Sequence, residues 1–328
     1  MRTLLLVAAI SLGTVVHGSR EAGTSVDSYT FGGRLMPADG GSLEGVRVVA
    51  GDANGSFEAI VDSSGMFVGS FARAPQGRIT LRVFSDSSAP RYHPSAITFG
   101  YGIPSSPTRV VLVPLRWRVS GGTFDGREVN VDPVRATTRY GEGTGFWRLT
   151  RKGRSPGRAV SWMIDSLPVR VAFRHERGDP EISTADSASF WEVATGVERL
   201  IGRPLFRPAT FAAVDSPGVD GILVTIDRRM SAAGRTFTTH DASGRIYEAL
   251  VAVSRREFLG DPRVASHELL HALGFGHTGA WRSVMGANTG AISEPTVEDV
   301  AYAQLFYAIS VLQREQEAPF GILESGRE

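Results

Sequence analysis

The chain has 328 residues, of which 42% are hydrophobic and 21% charged, with a formal net charge of +1. That length exceeds what one ordinary core requires and predicts two domains. The near-neutral balance, with no long block of like charge, argues against nucleic acid or an anionic membrane surface as partner. There is no cysteine, which excludes disulfides and thiolate chemistry, so any transition-metal site must be built from histidine and carboxylate.

The N-terminus, MRTLLLVAAISLGTVVHGSR, starts with a basic Arg2, runs apolar from Leu4 to Val16 and ends in small residues. This is the pattern of a secretory signal peptide over residues 1–18 with cleavage before Ser19. The run is shorter than the roughly 20 residues that span a bilayer. The expected location is secreted, periplasmic or extracellular, with no membrane span once the signal is removed.

From Tyr29 to Trp117, short alternating runs follow one another. YTFGGRLM, GVRVVAG, SFEAIVD, GMFVGSF, RITLRVF and RVVLVPLRW each read as a strand, separated by the turn-forming ADGG, DANG, DSSG and PQG. Six or seven strands at this spacing predict an all-β sandwich over 28–117. The stretch GGRLMPADGGSLEGVRVVA followed by AIVDSSGMFVGSF resembles the carboxypeptidase regulatory-like, transthyretin-type sandwich. That resemblance implies a stabilising or binding module and carries no chemistry.

Residues 118–160 are rich in Gly, Arg and Thr without a sustained period, so they read as a linker or loosely packed connector. A processing point after Lys152 or Arg154 is conceivable there. From 161 to 318 the texture becomes mixed α/β. PVRVAFRHE reads as a strand, and ISTADSASFWEVATGVERLIG as an amphipathic helix. Its apolar stripe is Phe190, Val193, Ala194, Val197, Leu200 and Ile201, its N-cap Ser183 and its stop Gly202. ATFAAV, DGILVTID and YEALVAVSRREF are three further strand candidates, and a last helix is expected near 296–313. The isolated histidines at 93, 175 and 240 need only solvent or hydrogen-bonded roles.

The densest chemistry lies in ASHELLHALGFGH, residues 265–277, which holds three of the seven histidines. Asp261-Pro262 supplies an N-cap and a first-turn proline, so a helix begins just before the motif. His267 and His271 then project from one face, one turn apart. Gly274 stands where a left-handed residue ends the helix, which lets His277 approach from another direction. Three nitrogen ligands with a fourth position open are the pattern of a catalytic zinc ion. Glu268, about 100° round the helix from His267, is placed to act as general base and acid without ligating. The neighbours Leu269, Leu270, Ala272, Leu273 and Phe275 mark the helix as buried, and buried imidazoles need a compensating partner such as a metal.

HELLHALGFGH resembles the HExxHxxGxxH signature of the metzincin zinc metallopeptidases, and Ser283-Val284-Met285-Gly286 resembles their Met-turn. TVEDVAYAQLFYAI is similar to the closing helix of the matrixin branch, in which an Asp-Asp pair precedes the apolar run. The resemblance implies an α+β domain with a mixed twisted sheet, a zinc helix, a Met-turn and a C-terminal helix. It also implies zinc on His267, His271 and His277, Glu268 as catalytic residue and Met285 as a floor under the metal. In that family an edge strand aligns an extended substrate, a role the resemblance implies for Tyr247 to Val253. Thr278 departs from the usual matrixin serine. Thr296 and Asp299 also make a capping box. Loops such as DSPGVDG at 215–221 read first as turns and second as a structural calcium (Ca2+) site.

The reading is therefore a secreted, monomeric zinc endopeptidase acting on protein or peptide substrates, behind an N-terminal sandwich. The alternative is a surface-binding or adhesion protein whose sandwich is the main functional module.

Overall fold

A computed structural model of the chain describes residues 29–85, 90–101, 108–137, 145–150, 158–175, 181–214, 220–286 and 292–315. The expected signal peptide, the Lys152 and Arg154 processing point and residues 215–219 of the calcium-or-turn loop lie outside the described residues. The described chain is β-rich, with four sheets and few helices. In chain order it runs β1 (Tyr29–Pro37), β2 (Arg47–Asp52), β3 (Gly55–Ile60), β4 (Met66–Phe71), β5 (Arg78–Phe84), β6 (Ser95–Tyr101), β7 (Thr108–Leu112), β8 (Arg116–Arg118), β9 (Glu128–Asn130) and α1 (Pro133–Thr137). It continues through β10 (Val169–Phe173), α2 (Thr184–Ile201), β11 (Phe206–Pro208), α3 (Phe211–Val214), β12 (Gly221–Ile226), β13 (Gly234–His240), β14 (Ile246–Val253), α4 (Pro262–Ala272) and α5 (Val297–Glu315).

The first seven strands form two sheets, ordered β4-β1-β7 and β3-β2-β5-β6, around one core. Alternation decides which side chains enter it: Ile79, Leu81 and Val83 of β5 face in, while Arg78 and Arg82 face out. Asn54-Gly55 lies at the β2–β3 turn, where Asp52 accepts the Asn54 and Gly55 amides. β6 is a strand that the sequence reading missed. It lies at a sheet edge and buries Ile97 fully, so its period of two is faint.

The five-stranded sheet has the order β11-β10-β12-β14-β13, parallel except for β13, which pairs antiparallel with β14. β12 is buried at all six positions, as expected of a strand covered on both faces. α2, α4 and α5 share one large core with this sheet. α2 starts at Ser183 with a reciprocal capping box to Asp186 and stops at a left-handed Gly202. Of its predicted stripe only Leu200 stays partly exposed. ATFAAV, expected as a strand, instead forms the short helix α3 after Pro208 closes β11. Val214 then packs against Ala172 and Leu223 on the other face of the sheet.

The connector expectation for 118–160 needs the clearest correction. Its described residues are packed, not loose. β8 and β9 pair with each other, and Val119, Val131, Ala136, Phe146, Trp147, Ala159 and Val160 are buried in the core of the second sheet. Met36, Val111 and Val113 from the first unit join the same core. Trp147 Nε1 donates to Tyr302 O of α5 at 2.9 Å, and Phe146 stacks on Phe275 at 4.9 Å between ring centroids. The apolar residues in this segment are too widely spaced for either period to appear, so burial here is a tertiary outcome.

Candidate metal centre and cleft

α4 begins as its sequence dictates, with the Asp261 side chain accepting the Arg263 amide at 2.9 Å and Pro262 in the first turn. From Val264 to Leu270 every residue is buried. The helix stops after Ala272, and Gly274 takes φ +103°. A Cβ at Gly274 would come within 2.3 Å of Val160 O, so both conformation and space demand glycine. Gly274→Ala should destabilise the protein by about 2–3 kcal/mol through backbone strain, read as a lower urea midpoint. An unchanged midpoint would show that the turn is not held there.

Beyond Gly274 the chain doubles back. Trp147 bridges to Phe275, and Gly276 N donates to Phe146 O at 3.0 Å. His277 is thereby delivered to the two helical histidines. The three Nε2 atoms form a near-equilateral triangle: 3.0 Å from His267 to His271, and 3.1 Å from His277 to each. Among the described residues this is the one group of three or more metal-ligating side chains. His93 instead meets Val131 O at 2.7 Å in the first unit, and His175 and His240 are exposed.

Hydrogen bonds on the far side of the rings decide what that triangle is. His267 Nδ1 donates to Val284 O and His271 Nδ1 to Phe275 O, each at 2.7 Å. A carbonyl can only accept, so each Nδ1 carries the proton and each Nε2 presents a lone pair. The Nε2 atoms of His267 and His271 therefore cannot bond one another. Burial holds the rings neutral: it pushes His267 down to about 4, depresses His271 far below the ordinary range and lowers His277. Neutral imidazoles with convergent lone pairs repel unless a cation sits among them. Zinc bonds imidazole nitrogen at about 2.0–2.1 Å, and a triangle of this size fits three such bonds.

Glu268 is 5% exposed. Its Oε2 accepts from Thr236 Oγ1 of β13 at 2.7 Å. Burial raises its carboxyl to about 7, against the opposing Thr236 hydrogen bond and the Arg235 charge. A Cβ at Gly234 would lie 2.6 Å from Glu268 Oε1, so the strand backbone runs directly beside the carboxylate. Gly234 and Thr236 were not predicted from sequence. GRTFTTH holds one large apolar residue, Phe237, which is 55% exposed, and so shows no strand pattern.

The same sheet order corrects the expected substrate edge. The 247–253 segment lies in β14, which is internal; β13 is the edge strand, and α4 packs against it more extensively than against β14.

Behind His267 stands the turn at 283–286. Met285 is fully buried, its carbonyl accepts the Thr278 amide at 2.9 Å, and its amide donates to Ser283 Oγ at 2.9 Å. Asp299 caps α5 with Thr296 as predicted, and it does more than cap. Its carboxylate also accepts from Ser283 Oγ, from Trp281 Nε1 at 2.9 Å and from Val284 N at 3.2 Å. Since Val284 O receives the His267 proton, one buried acid on α5 orients a prospective ligand through a single residue. Thr278 is buried as well and accepts the Ala280 amide at 3.2 Å.

No family model matches the chain, and no curated protein matches it. Among solved structures it is similar to a DUF3823 family protein from Parabacteroides merdae, at 15% identity over 26% of this chain and 45% of that one, with a TM-score of 0.20. It is also similar to the pilus adhesin of Streptococcus pneumoniae, at 11% identity over 89% of this chain and 41% of that one, with a TM-score of 0.18. The chain spans less than half the length of either, and neither likeness bears on what it does.

Proposed function

We propose that the chain is an exported zinc-dependent endopeptidase of metzincin type, matrixin-like, preceded by a β-sandwich. The observation that carries this reading is the convergence of the His267, His271 and His277 Nε2 atoms on the helix that also carries the buried Glu268. Bound there, zinc would lower the pKa of a water to about 7 and polarise the scissile carbonyl. Glu268, turned toward the cleft strand by Thr236, takes the proton of the attacking water and hands it to the departing amine. The free edge of β13 offers backbone groups for pairing with an extended peptide. Met285, buried in the turn tied down by Asp299, takes the supporting role.

Casein cleavage by the purified chain tests this directly. Stoichiometric zinc, loss of cleavage with a zinc chelator and recovery on adding zinc back are the expected results. Cleavage that persists in the chelated, zinc-free protein would refute the reading.

A further inference from the structure

The segment that delivers His277 carries a charge that the chemistry above leaves unused. Arg148 follows Trp147, and its neighbours are pinned on both sides: Trp147 bridges to Phe275, Leu149 to Ala159, and Val160 N donates to Arg148 O at 2.8 Å. The guanidinium is half-buried, and Nη1 donates to Thr238 Oγ1 of β13 at 2.9 Å. Through Thr238, two residues along β13 from Thr236, it is tied to the strand that holds Glu268. No carboxylate forms an ion pair with it among the described residues. A guanidinium has five N–H donors in a planar fork, and one threonine hydroxyl engages one of them. None of its nitrogens is both buried and unpartnered, so the spare donors reach solvent.

Position along β13 says what could fill that fork. Thr236 and Thr238 lie two residues apart on one face of the strand; the first holds Glu268 and the second holds Arg148. Side chains on one face of an extended chain repeat about every 6.8 Å. A peptide lying along β13 with its reacting carbonyl beside Glu268 therefore brings a residue about two places away to Arg148. A half-desolvated cation with no acid partner among the described residues favours a carboxylate, which the fork can hold with two parallel hydrogen bonds. Arg235, exposed on the same strand and acting on Glu268, adds positive charge to this edge.

Resting on the peptidase reading, we propose that Arg148 is a specificity-determining residue that receives an Asp or Glu side chain of the substrate within two residues of the cleaved bond. The test uses zinc-loaded full chain and fluorogenic peptide pairs that differ only as Asp against Asn, scanned over two positions on each side of the bond. At one position the wild type should favour Asp in kcat/KM by about 10- to 100-fold, the range of charge-assisted hydrogen bonds. Arg148→Gln should bring that ratio to near unity, chiefly through KM. Arg148→Lys, which keeps the charge without the fork, should retain part of it, and it decides the matter if Arg148→Gln does not fold. Binding gives a second readout: Glu268→Gln should hold the Asp peptide more tightly than the Asn peptide, and Glu268→Gln with Arg148→Lys should narrow the difference. A wild type without an acidic preference, or a ratio unchanged by both Arg148 substitutions, overturns the proposal. In either case chelator-sensitive cleavage of the Asn peptides leaves the peptidase reading standing. Absence of chelator-sensitive cleavage from every peptide overturns both.

Discussion

Glu268→Gln is expected to lower kcat/KM by about 10²- to 10⁴-fold, the usual contribution of a positioned general base, while stoichiometric zinc is retained. Glutamine keeps the shape and can still accept from Thr236 Oγ1, as Glu268 does at 2.7 Å, but its amide cannot take a proton from water. Burial makes the native carboxyl suited to this work. Burial pushes its pKa up to about 7, which makes it a stronger proton acceptor than an exposed carboxylate. Paired measurements of peptide turnover and metal content separate a chemical defect from a folding defect. Turnover within a few-fold of wild type, with metal in place, would remove Glu268 from the mechanism.

His277→Ala should abolish stoichiometric zinc binding. His277 is the proposed ligand delivered from outside the helix, so its loss leaves His267 and His271 with their Nδ1 hydrogen bonds to Val284 O and Phe275 O intact. Disturbing outer partners of a ligand typically costs 10- to 100-fold in metal affinity, and removing a ligand should cost more. Thermal melting gives an independent reading. Zinc at about 1,000 times its Kd stabilises the folded state by about 4 kcal/mol, a rise of roughly 10 °C for a domain of this size. Wild type should show that rise on zinc addition and His277→Ala should not. An equal zinc-induced shift in both proteins would place the ion elsewhere.

The two substitutions probe different layers of one arrangement. The proposed zinc ligands and base lie on α4 and its exit turn, but their orientation comes from three other places. Asp299 on α5 fixes the turn that receives the His267 proton. Phe146 and Trp147, from the segment before the sheet, hold the path to His277. Thr236 on β13 holds Glu268.

Much of this was legible locally. The α4 helix, with its Asp261 cap, Pro262 start and Gly274 stop, depends on interactions within a few residues, and local spacing alone brings His267 and His271 to one face. The β1–β5 and β7 strands, α2 and α5 were readable for the same reason, since their apolar periods match their own geometry. Three things were decided only when the chain folded. β13 became a cleft edge although its sequence has no buried apolar stripe, because pairing with β14 supplies its hydrogen bonds from another strand. The described residues of 118–160 became part of the core because isolated aromatics such as Phe146 and Trp147 find partners more than a hundred residues away, on α5 and beside His277. Arg148 came to bond Thr238 of β13 through that same packing. Local hydrogen bonding and periodicity write themselves into neighbouring residues; burial against distant partners leaves no such mark, and the geometry of this site depends on it.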